Sequence, residues 1–333
     1  MAMTEELLMD WLAIDSTSGQ EAAFLQVLQT HLEGMGFSCT RQEVEPERWN
    51  LLARTDEEPR LIYSTHVDTV PPFLTPRRED GVIYGRGACD TKGGIVAMIE
   101  AGRRLLEEGR RDFGYLFVVG EEVDHCGAKK AASLPLSTER IILCEPTLNS
   151  IVRAQKGMLK FKLTTRGVAG HSAYLDRGQS AIDPLLDTLQ ALRTHPWPVD
   201  AILGETTLNI GVIEGGVAAN VFAPSARAEL LFRCVSPAAA MLETVEELCR
   251  DGVAVQDAVY NDPVFFDPPE GFETCTVPFN TDATYLKPLG PIWLVGPGDI
   301  RHAHADHEHI ELTSLSEGIE LYLTLGRKTL HKP

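Results

Sequence analysis

The chain has 333 residues, a formal net charge of -18 and 44% hydrophobic residues. This length allows more than one domain and a large core, and the ordinary apolar content predicts a chain without extended disorder. The acidic balance argues against nucleic acid and anionic membrane surfaces as partners, because both attract Lys and Arg.

The cysteines and the N-terminus favour a cytoplasmic protein. The seven cysteines are scattered and odd in number, and they form no C-x-x-C pair, which is typical of reduced thiols. Residues 1–14 are acidic and amphipathic and lack the basic and apolar regions of a signal peptide. No apolar run approaches the roughly 20 residues that span a bilayer.

In the first part of the chain, predicted helices alternate with predicted strands. Apolar periodicity predicts, in order, helices over 5–14 and 20–35, strands over 50–54 and from 61, a helix from 95, and strands over 115–119 and 141–144. Such alternation is typical of an α/β fold with a mostly parallel sheet. A glycine-rich loop, residues 85–94, precedes the third helix, and its glycines allow tight turns and close backbone approach.

Two polar residues end the strand that begins at residue 61. His66 and Asp68 are two apart and therefore point to the same side of an extended backbone. A carboxylate is a good acceptor for the second nitrogen of a metal-binding imidazole, although an isolated His-x-Asp is more often a surface pair. Asp90, in the glycine-rich loop, also has two interpretations. It is a candidate metal ligand, but a carboxylate near a helix N-terminus is often only a helix cap.

Acidic residues also follow the next two strands: Glu121, Glu122 and Glu145. Ligands of open α/β sheets bind beyond the carboxyl ends of the strands, so we expect these side chains in one cleft with His66 and Asp90. Each of these residues alone is a polar residue of the kind that commonly follows a strand. Together, several carboxylates repel one another unless a cation neutralises them, so the set indicates a metal site.

The middle of the chain changes character. The predicted elements are a strand over 158–165, a helix over 180–192, strands over 206–213 and 226–233, and a helix over 237–249. Two helices and about four strands are typical of a small α+β sandwich. We therefore predict a catalytic domain in two parts, 1–156 and 257–333, with 157–256 as an inserted domain.

After residue 256 the α/β pattern returns. A helix is predicted from about residue 281, a strand over 291–295 and a closing helix over 312–330. Between the last two lies a tract with histidines at 302, 304, 307 and 309. Such a tract binds metal in some proteins and is a surface cluster in others, and we expect one of the four as a ligand.

Seven motifs give the chain a resemblance to a known family. They are, in chain order, STHVDTV, GRGACDTKGG, VVGEEVDHCGA, ILCEPT, GVAGHSAYLDRGQSAID, GGVAANV and GPGDIRHAHADHEHI. The set resembles the family that includes acetylornithine deacetylase, succinyl-diaminopimelate desuccinylase and glutamate carboxypeptidase, which are two-metal amide hydrolases. The resemblance implies a zinc-peptidase-like catalytic domain and a lid or dimerisation role for the inserted domain.

The resemblance also implies roles for individual residues. It implies two divalent ions per subunit, with His66 and Glu145 at one ion, Glu122 and His304 at the other, and Asp90 bridging both. Glu121 is the implied general base for a water between the ions, and Asp68 orients His66. This mixed N/O ligand set suits Zn²⁺, with Co²⁺ and Mn²⁺ as alternatives.

Further residues are similar to the family's substrate contacts. His171 matches a histidine that stabilises the oxyanion, often in the site of the partner subunit, which implies a homodimer through the inserted domain. Its alternative is a loop histidine that caps the next turn. Asn220 and Arg233 match contacts of the substrate carboxylate. Weaker candidates, with surface or capping roles as alternatives, are Lys156, Thr281 and Asp282.

The choice of substrate rests on small departures from the family. The chain has Glu rather than Asp at position 145. In this it resembles the deacylases and the carboxypeptidase more than the di- and tripeptidases. With the compact length, it favours removal of an N-acyl group, first of all acetyl, from an amino acid, as by acetylornithine deacetylase in arginine biosynthesis. The alternatives are a carboxypeptidase, an aminoacylase or a dipeptidase on the same scaffold, or a metal-binding module without catalysis.

Overall fold

The structure, a computed structural model, describes residues 2–55 and 58–331. The chain divides into two units, one formed by residues 1–153, 266–275 and 281–333 and the other by 154–265 and 276–280. The predicted boundary after residue 256 falls inside a strand, Val253–Asn261, that pairs with the sheet of the second unit. The second unit therefore contains this whole strand and continues to Phe265.

A six-stranded mixed sheet forms the centre of the first unit. In spatial order its strands are Ser38–Glu45, Arg48–Arg54, Phe113–Val118, Leu61–His66, Arg140–Leu143 and Ile292–Leu294. The last four run parallel, and the first two are antiparallel to their neighbours. The two central strands are buried at every position, which explains the apolar sequence of Phe113–Val118 and the apolar start of Leu61–His66. The predicted α/β class with a mostly parallel sheet is confirmed.

The helices of the first unit pack against this sheet or against one another. They are Ala2–Leu12, Ala22–Gly34, Lys92–Glu107, Cys126–Ala131, Ala283–Leu286 and Leu312–Leu330, with 3₁₀ turns at Lys287–Leu289 and Ile300–His302. A side chain at Gly94 would overlap the Sγ of Cys144, so the glycine lets the third helix lie directly against the sheet. The close approach predicted for the glycine-rich loop is confirmed at this point, next to Asp90 and Glu145.

The second unit is built on an antiparallel sheet. In spatial order its strands are Thr207–Gly215, Ser225–Cys234, Gly157–Arg166 and Val253–Asn261. The helices Ile182–Thr194 and Ala238–Leu248 share an apolar core with this sheet. Buried and more exposed positions alternate along Gly157–Arg166, as expected of a sheet that is covered on one face.

Short strands and free thiols complete the description. The short strands are Arg77–Glu79, Val82–Tyr84, Ile151–Gln155, Val199–Asp200, Gly204–Glu205, Val264–Phe265, Thr274–Val277 and His309–Glu311. All seven cysteines are free thiols. Among the residues that the structure describes, no helix is both long and apolar enough to cross a membrane.

Candidate metal centre

Four of the predicted ligands meet at the carboxyl end of the main sheet. The Oδ1 of Asp90 lies 3.1 Å from the Nε2 of His66, and its Oδ2 lies 3.4 Å from the Nε2 of His304. The same nitrogen of His304 lies 3.0 Å from the Oε1 of Glu122. The two oxygens of Asp90 thus face two different imidazoles, rather than the helix N-terminus that a simple cap would face. This is the arrangement that a carboxylate shared by two ions requires.

Two further glutamates lie beside this group. Burial raises the pKa of the Glu145 carboxyl well above its ordinary value, and the negative charge of Asp90 raises it further. Burial also raises the pKa of Glu121 well above its ordinary value, with Glu145 as the next cause. Glu122 is shifted in the same direction by burial and by Asp90. Glu145 and Glu121 therefore share the electrostatic environment of the four contacting residues.

The imidazoles supply the positive charge that these carboxylates need. Hydrogen bonds to Asp90 and Glu122 raise the pKa of His304 to about 10. Burial opposes ionisation of Asp90, but hydrogen bonds from His304 and His66 outweigh it and hold the Asp90 pKa well below its ordinary value. Ligand atoms of His66, Asp90 and Glu122 lie within 4.8 Å of one another. A divalent cation would satisfy the same nitrogen and oxygen atoms, so the residues fit bound metal.

Asp68 organises the two glutamates of the next strand exit. Its fully buried carboxylate accepts hydrogen bonds from the backbone N–H groups of Glu121, at 3.1 Å, and Glu122, at 3.2 Å, and from the Ser18 hydroxyl, at 2.7 Å. The Nδ1 of His66 lies 2.9 Å from the backbone carbonyl of Asp68 and 3.6 Å from its carboxylate. The predicted orientation of His66 by Asp68 thus uses the backbone carbonyl as the nearer acceptor.

Glu308, which the sequence analysis did not single out, holds the loop that carries Asp90. Its carboxylate is 1% exposed and accepts hydrogen bonds from the backbone N–H groups of Gly87, at 2.9 Å, and Asp90, at 3.2 Å. It also forms an ion pair with Arg86 at 2.6 Å. An acidic residue in a polar, His-rich tract has the sequence character of exposed surface, so its burial depends on contacts distant in the sequence.

The remaining histidines of the tract lie against one another. The rings of His302 and His309 are stacked, with centroids 4.0 Å apart, and the ring of His307 is 6.2 Å from that of His309. Among the four, His304 is the one that contacts both Asp90 and a glutamate. The structure thus brings His304, rather than the other three histidines, to Asp90, and its role as a metal ligand stays a prediction.

Most of the predicted substrate contacts lie in the second unit. These residues are His171, Asn220, Arg233 and Lys156. His171 is exposed, and its Nδ1 accepts a hydrogen bond from the backbone N–H of Ala173 at 3.2 Å, which is the contact of the turn-capping alternative. Lys156 is buried and donates to the backbone carbonyl of Glu205. The roles of these residues in catalysis and substrate binding stay predictions.

Thr281 and Asp282 begin a short helix in the first unit. The Thr281 hydroxyl accepts a hydrogen bond from the backbone N–H of Ala283 at 3.2 Å, which is the capping contact that the sequence offered as its alternative. The Oδ1 of Asp282 lies 2.9 Å from the Nδ1 of His125, and the Oε1 of Glu121 lies 3.6 Å from the same nitrogen. The family resemblance pointed to Glu121 and Asp282 separately, whereas neither His125 nor the grouping of the three residues was predicted.

Sequence comparison places the chain among peptidases. The model for Peptidase family M20/M25/M40 matches residues 62–328. A peptidase M20 domain-containing protein of Schizosaccharomyces pombe is 35% identical, over 93% of this chain and 80% of its own. A probable carboxypeptidase of Aspergillus clavatus is 33% identical, over 97% of this chain and 82% of its own.

Solved structures share the fold. A tripeptidase from Staphylococcus aureus superposes with a TM-score of 0.86 at 20% identity, over 99% of this chain and 98% of its own. The dipeptidase Dug1p from Saccharomyces cerevisiae gives a TM-score of 0.78 at 12% identity, over 100% and 96% of the two chains. At these identities the likeness shows the fold alone. The family match over most of the chain shows that this protein belongs to the peptidase family M20/M25/M40 and is a metal-dependent hydrolase.

Proposed function

We propose that the protein is a metallo-carboxypeptidase, which hydrolyses the amide bond between a peptide or acyl group and a terminal amino acid. The observation that carries this proposal is Asp90, whose two oxygens face His66 and His304 beside Glu121 and Glu122. The names of the relatives, several of them probable carboxypeptidases, favour this substrate class over the N-acetyl amino acids that the sequence favoured first.

The proposed chemistry divides between bound ions and the residues of the chain. His66 and Glu145 would hold one ion, Glu122 and His304 the other, and Asp90 both. Zn²⁺ suits these N/O ligands best, and Co²⁺ and Mn²⁺ are compatible. Two such ions, when bound, would lower the pKa of a water and stabilise negative charge on the substrate oxygen. Glu121 would take a proton from the attacking water and pass it to the amine nitrogen as the amide bond breaks.

An N-acyl amino acid deacylase, of the acetylornithine deacetylase kind, is the second candidate. Glu145 favours it, since this residue is similar to the deacylases as well as to the carboxypeptidase. Both candidates need a group that recognises the free carboxylate of the released amino acid. Asn220 and Arg233 are the proposed contacts for it, with Lys156 and Thr281 as weaker ones. The free cysteines suit a reducing compartment such as the cytoplasm.

Chelation and a substrate panel test the proposed function together. We expect a chelator to abolish hydrolysis and Zn²⁺ or Co²⁺ to restore it, because the proposed reaction needs a water whose pKa the bound ions would lower. The panel contains peptides with a free C-terminus, the same peptides as C-terminal amides, dipeptides and N-acetyl amino acids. Hydrolysis of the free peptides but not of the amides supports the carboxypeptidase.

Two results would contradict this expectation in different ways. Full activity after complete removal of metal would show that the reaction of this chain does not need metal. Faster cleavage of N-acetyl amino acids than of every peptide would replace the carboxypeptidase by the deacylase, with the metal centre unchanged.

We also propose a homodimer through the second unit, in which His171 acts in the site of the partner subunit. A mixture of His171→Ala and Glu121→Gln subunits should regain about a quarter of wild-type activity, because half of randomly assorted dimers are mixed and each has one complete site. Native mass spectrometry measures the fraction of mixed dimers, and each variant mixed with itself is the control. Mixed dimers without activity would show that His171 does not act across the dimer.

A further inference from the structure

A tight turn after the strand Phe113–Val118 carries the proposed base together with a histidine. The backbone carbonyl of Gly120 accepts hydrogen bonds from Asp124 N, at 3.2 Å, and His125 N, at 2.8 Å. His125 has φ 59°, a left-handed conformation that is uncommon for residues other than glycine and marks positions held by their surroundings. The turn therefore fixes the backbone of His125 relative to that of Glu121.

The side chains of this turn converge with one from a distant segment. The Nδ1 of His125 lies 2.9 Å from the Oδ1 of Asp282 and 3.6 Å from the Oε1 of Glu121. The His125 ring also packs against Tyr285, with centroids 5.3 Å apart. The exposed fractions of the His125, Asp282 and Glu121 side chains are 11%, 1% and 12%. One ring nitrogen thus lies between two largely buried carboxylates.

Asp282 has a second carboxylate oxygen that its contact with His125 does not use. Within the described part of the chain, its Oδ2 is buried without a hydrogen-bond partner, which is costly for a carboxylate. A carboxylate that served only to begin the short helix would not need to be directed at an imidazole. Its contact with Nδ1 of His125 instead fixes the ring, with the Oε1 of Glu121 3.6 Å from the same nitrogen, beyond hydrogen-bond distance.

We propose that His125, held by Asp282, is a positioning residue that orients the carboxylate of Glu121 for proton transfer. The inference rests on the proposed function, in which Glu121 is the general base. A carboxylate that takes up and returns a proton in each turnover must keep one orientation through both steps. The Nδ1–H of His125 donates to Asp282, and the ring held in this way limits the positions open to the Oε1 of Glu121 and leaves the other oxygen of that carboxylate for the reacting water.

Two substitutions separate positioning from support of the fold. The amide nitrogen of Asn lies near the place of an imidazole Nδ1, whereas Leu fills similar space without a donor. We expect His125→Leu to lower kcat about 10²-fold, the typical cost of a misplaced catalytic group, with KM and metal content unchanged. His125→Asn should retain kcat within about threefold. His195→Asn, in the second unit, is the matched control, and Glu121→Gln is assayed in parallel.

The outcomes distinguish this inference from the proposed function. If Glu121→Gln is inactive while folded His125→Leu keeps the wild-type kcat, the positioning role is wrong and the base is not affected. If Glu121→Gln keeps its activity, the proposed function itself fails. A His125→Asn variant as slow as His125→Leu, or a loss of bound metal in His125→Leu, would also overturn the positioning role, the latter in favour of a cation held by His125.

Discussion

Replacement of Glu121 by Gln is expected to lower kcat by about 10²–10⁴-fold, the usual contribution of a general base, and to leave the bound metal in place. The amide keeps the shape of the side chain but cannot accept the proton of a reacting water. The Asp68 carboxylate holds the backbone N–H of Glu121, not its side chain, so the turn should keep its structure. Steady-state kinetics and elemental analysis of the same preparation measure both quantities.

Exposed Glu43 provides the matched control for this substitution. Glu43→Gln makes the same chemical change on the outer strand Ser38–Glu45, where the side chain is exposed, and should leave kcat unaltered. A Glu121→Gln variant that retained kcat within tenfold would remove Glu121 from the role of base. A variant that lost metal would instead make Glu121 part of the metal-binding set.

Replacement of Asp90 by Asn is expected to weaken the binding of both ions and to abolish activity. The neutral amide removes the charge that both His66 and His304 face. Loss of a residue that only supports a ligand costs 10–100-fold in metal affinity, so loss of a shared ligand should cost at least about 10²-fold. Titration with Zn²⁺ after chelation, followed by metal content and thermal unfolding, measures the effect.

The pattern of metal loss is the decisive readout for Asp90. Wild-type protein should gain stability on adding Zn²⁺, by about 2.7 kcal/mol at a concentration 100 times the dissociation constant, whereas Asp90→Asn should gain much less. Exposed Asp80→Asn is the control, since its left-handed backbone suits Asn as well as Asp. If Asp90→Asn lost one ion and bound the other with wild-type affinity, Asp90 would not be shared.

The sequence predicted the parts of the fold whose signals are local. The strand Phe113–Val118 is a continuous apolar run and the strand Leu61–His66 begins with one because both of their faces are covered, and the polar residues that follow these runs pointed to one cleft. The strand Ser38–Glu45 was missed because none of its residues is fully buried, so it lacks an apolar pattern. It is defined by pairing with its neighbour, which is a tertiary property.

The contacts that support the site could not be predicted from the sequence, for a different reason. Glu308 binds the backbone of Gly87 and Asp90 across more than 200 residues of chain, and Asp282 meets His125 in a similar way. No periodicity or motif links such distant positions. Family motifs identify the residues that carry the chemistry, whereas the residues that hold them in place depend on how the segments of this chain meet.

The order of the segments also affects how the protein is made. His304, Glu308 and the last strand of the main sheet, Ile292–Leu294, all come after the second unit in the chain. During synthesis, the ribosome releases the second unit in full before it releases these residues. Until then the main sheet lacks its last strand and the candidate metal centre lacks His304, so this centre can be completed only after the second unit has been synthesised.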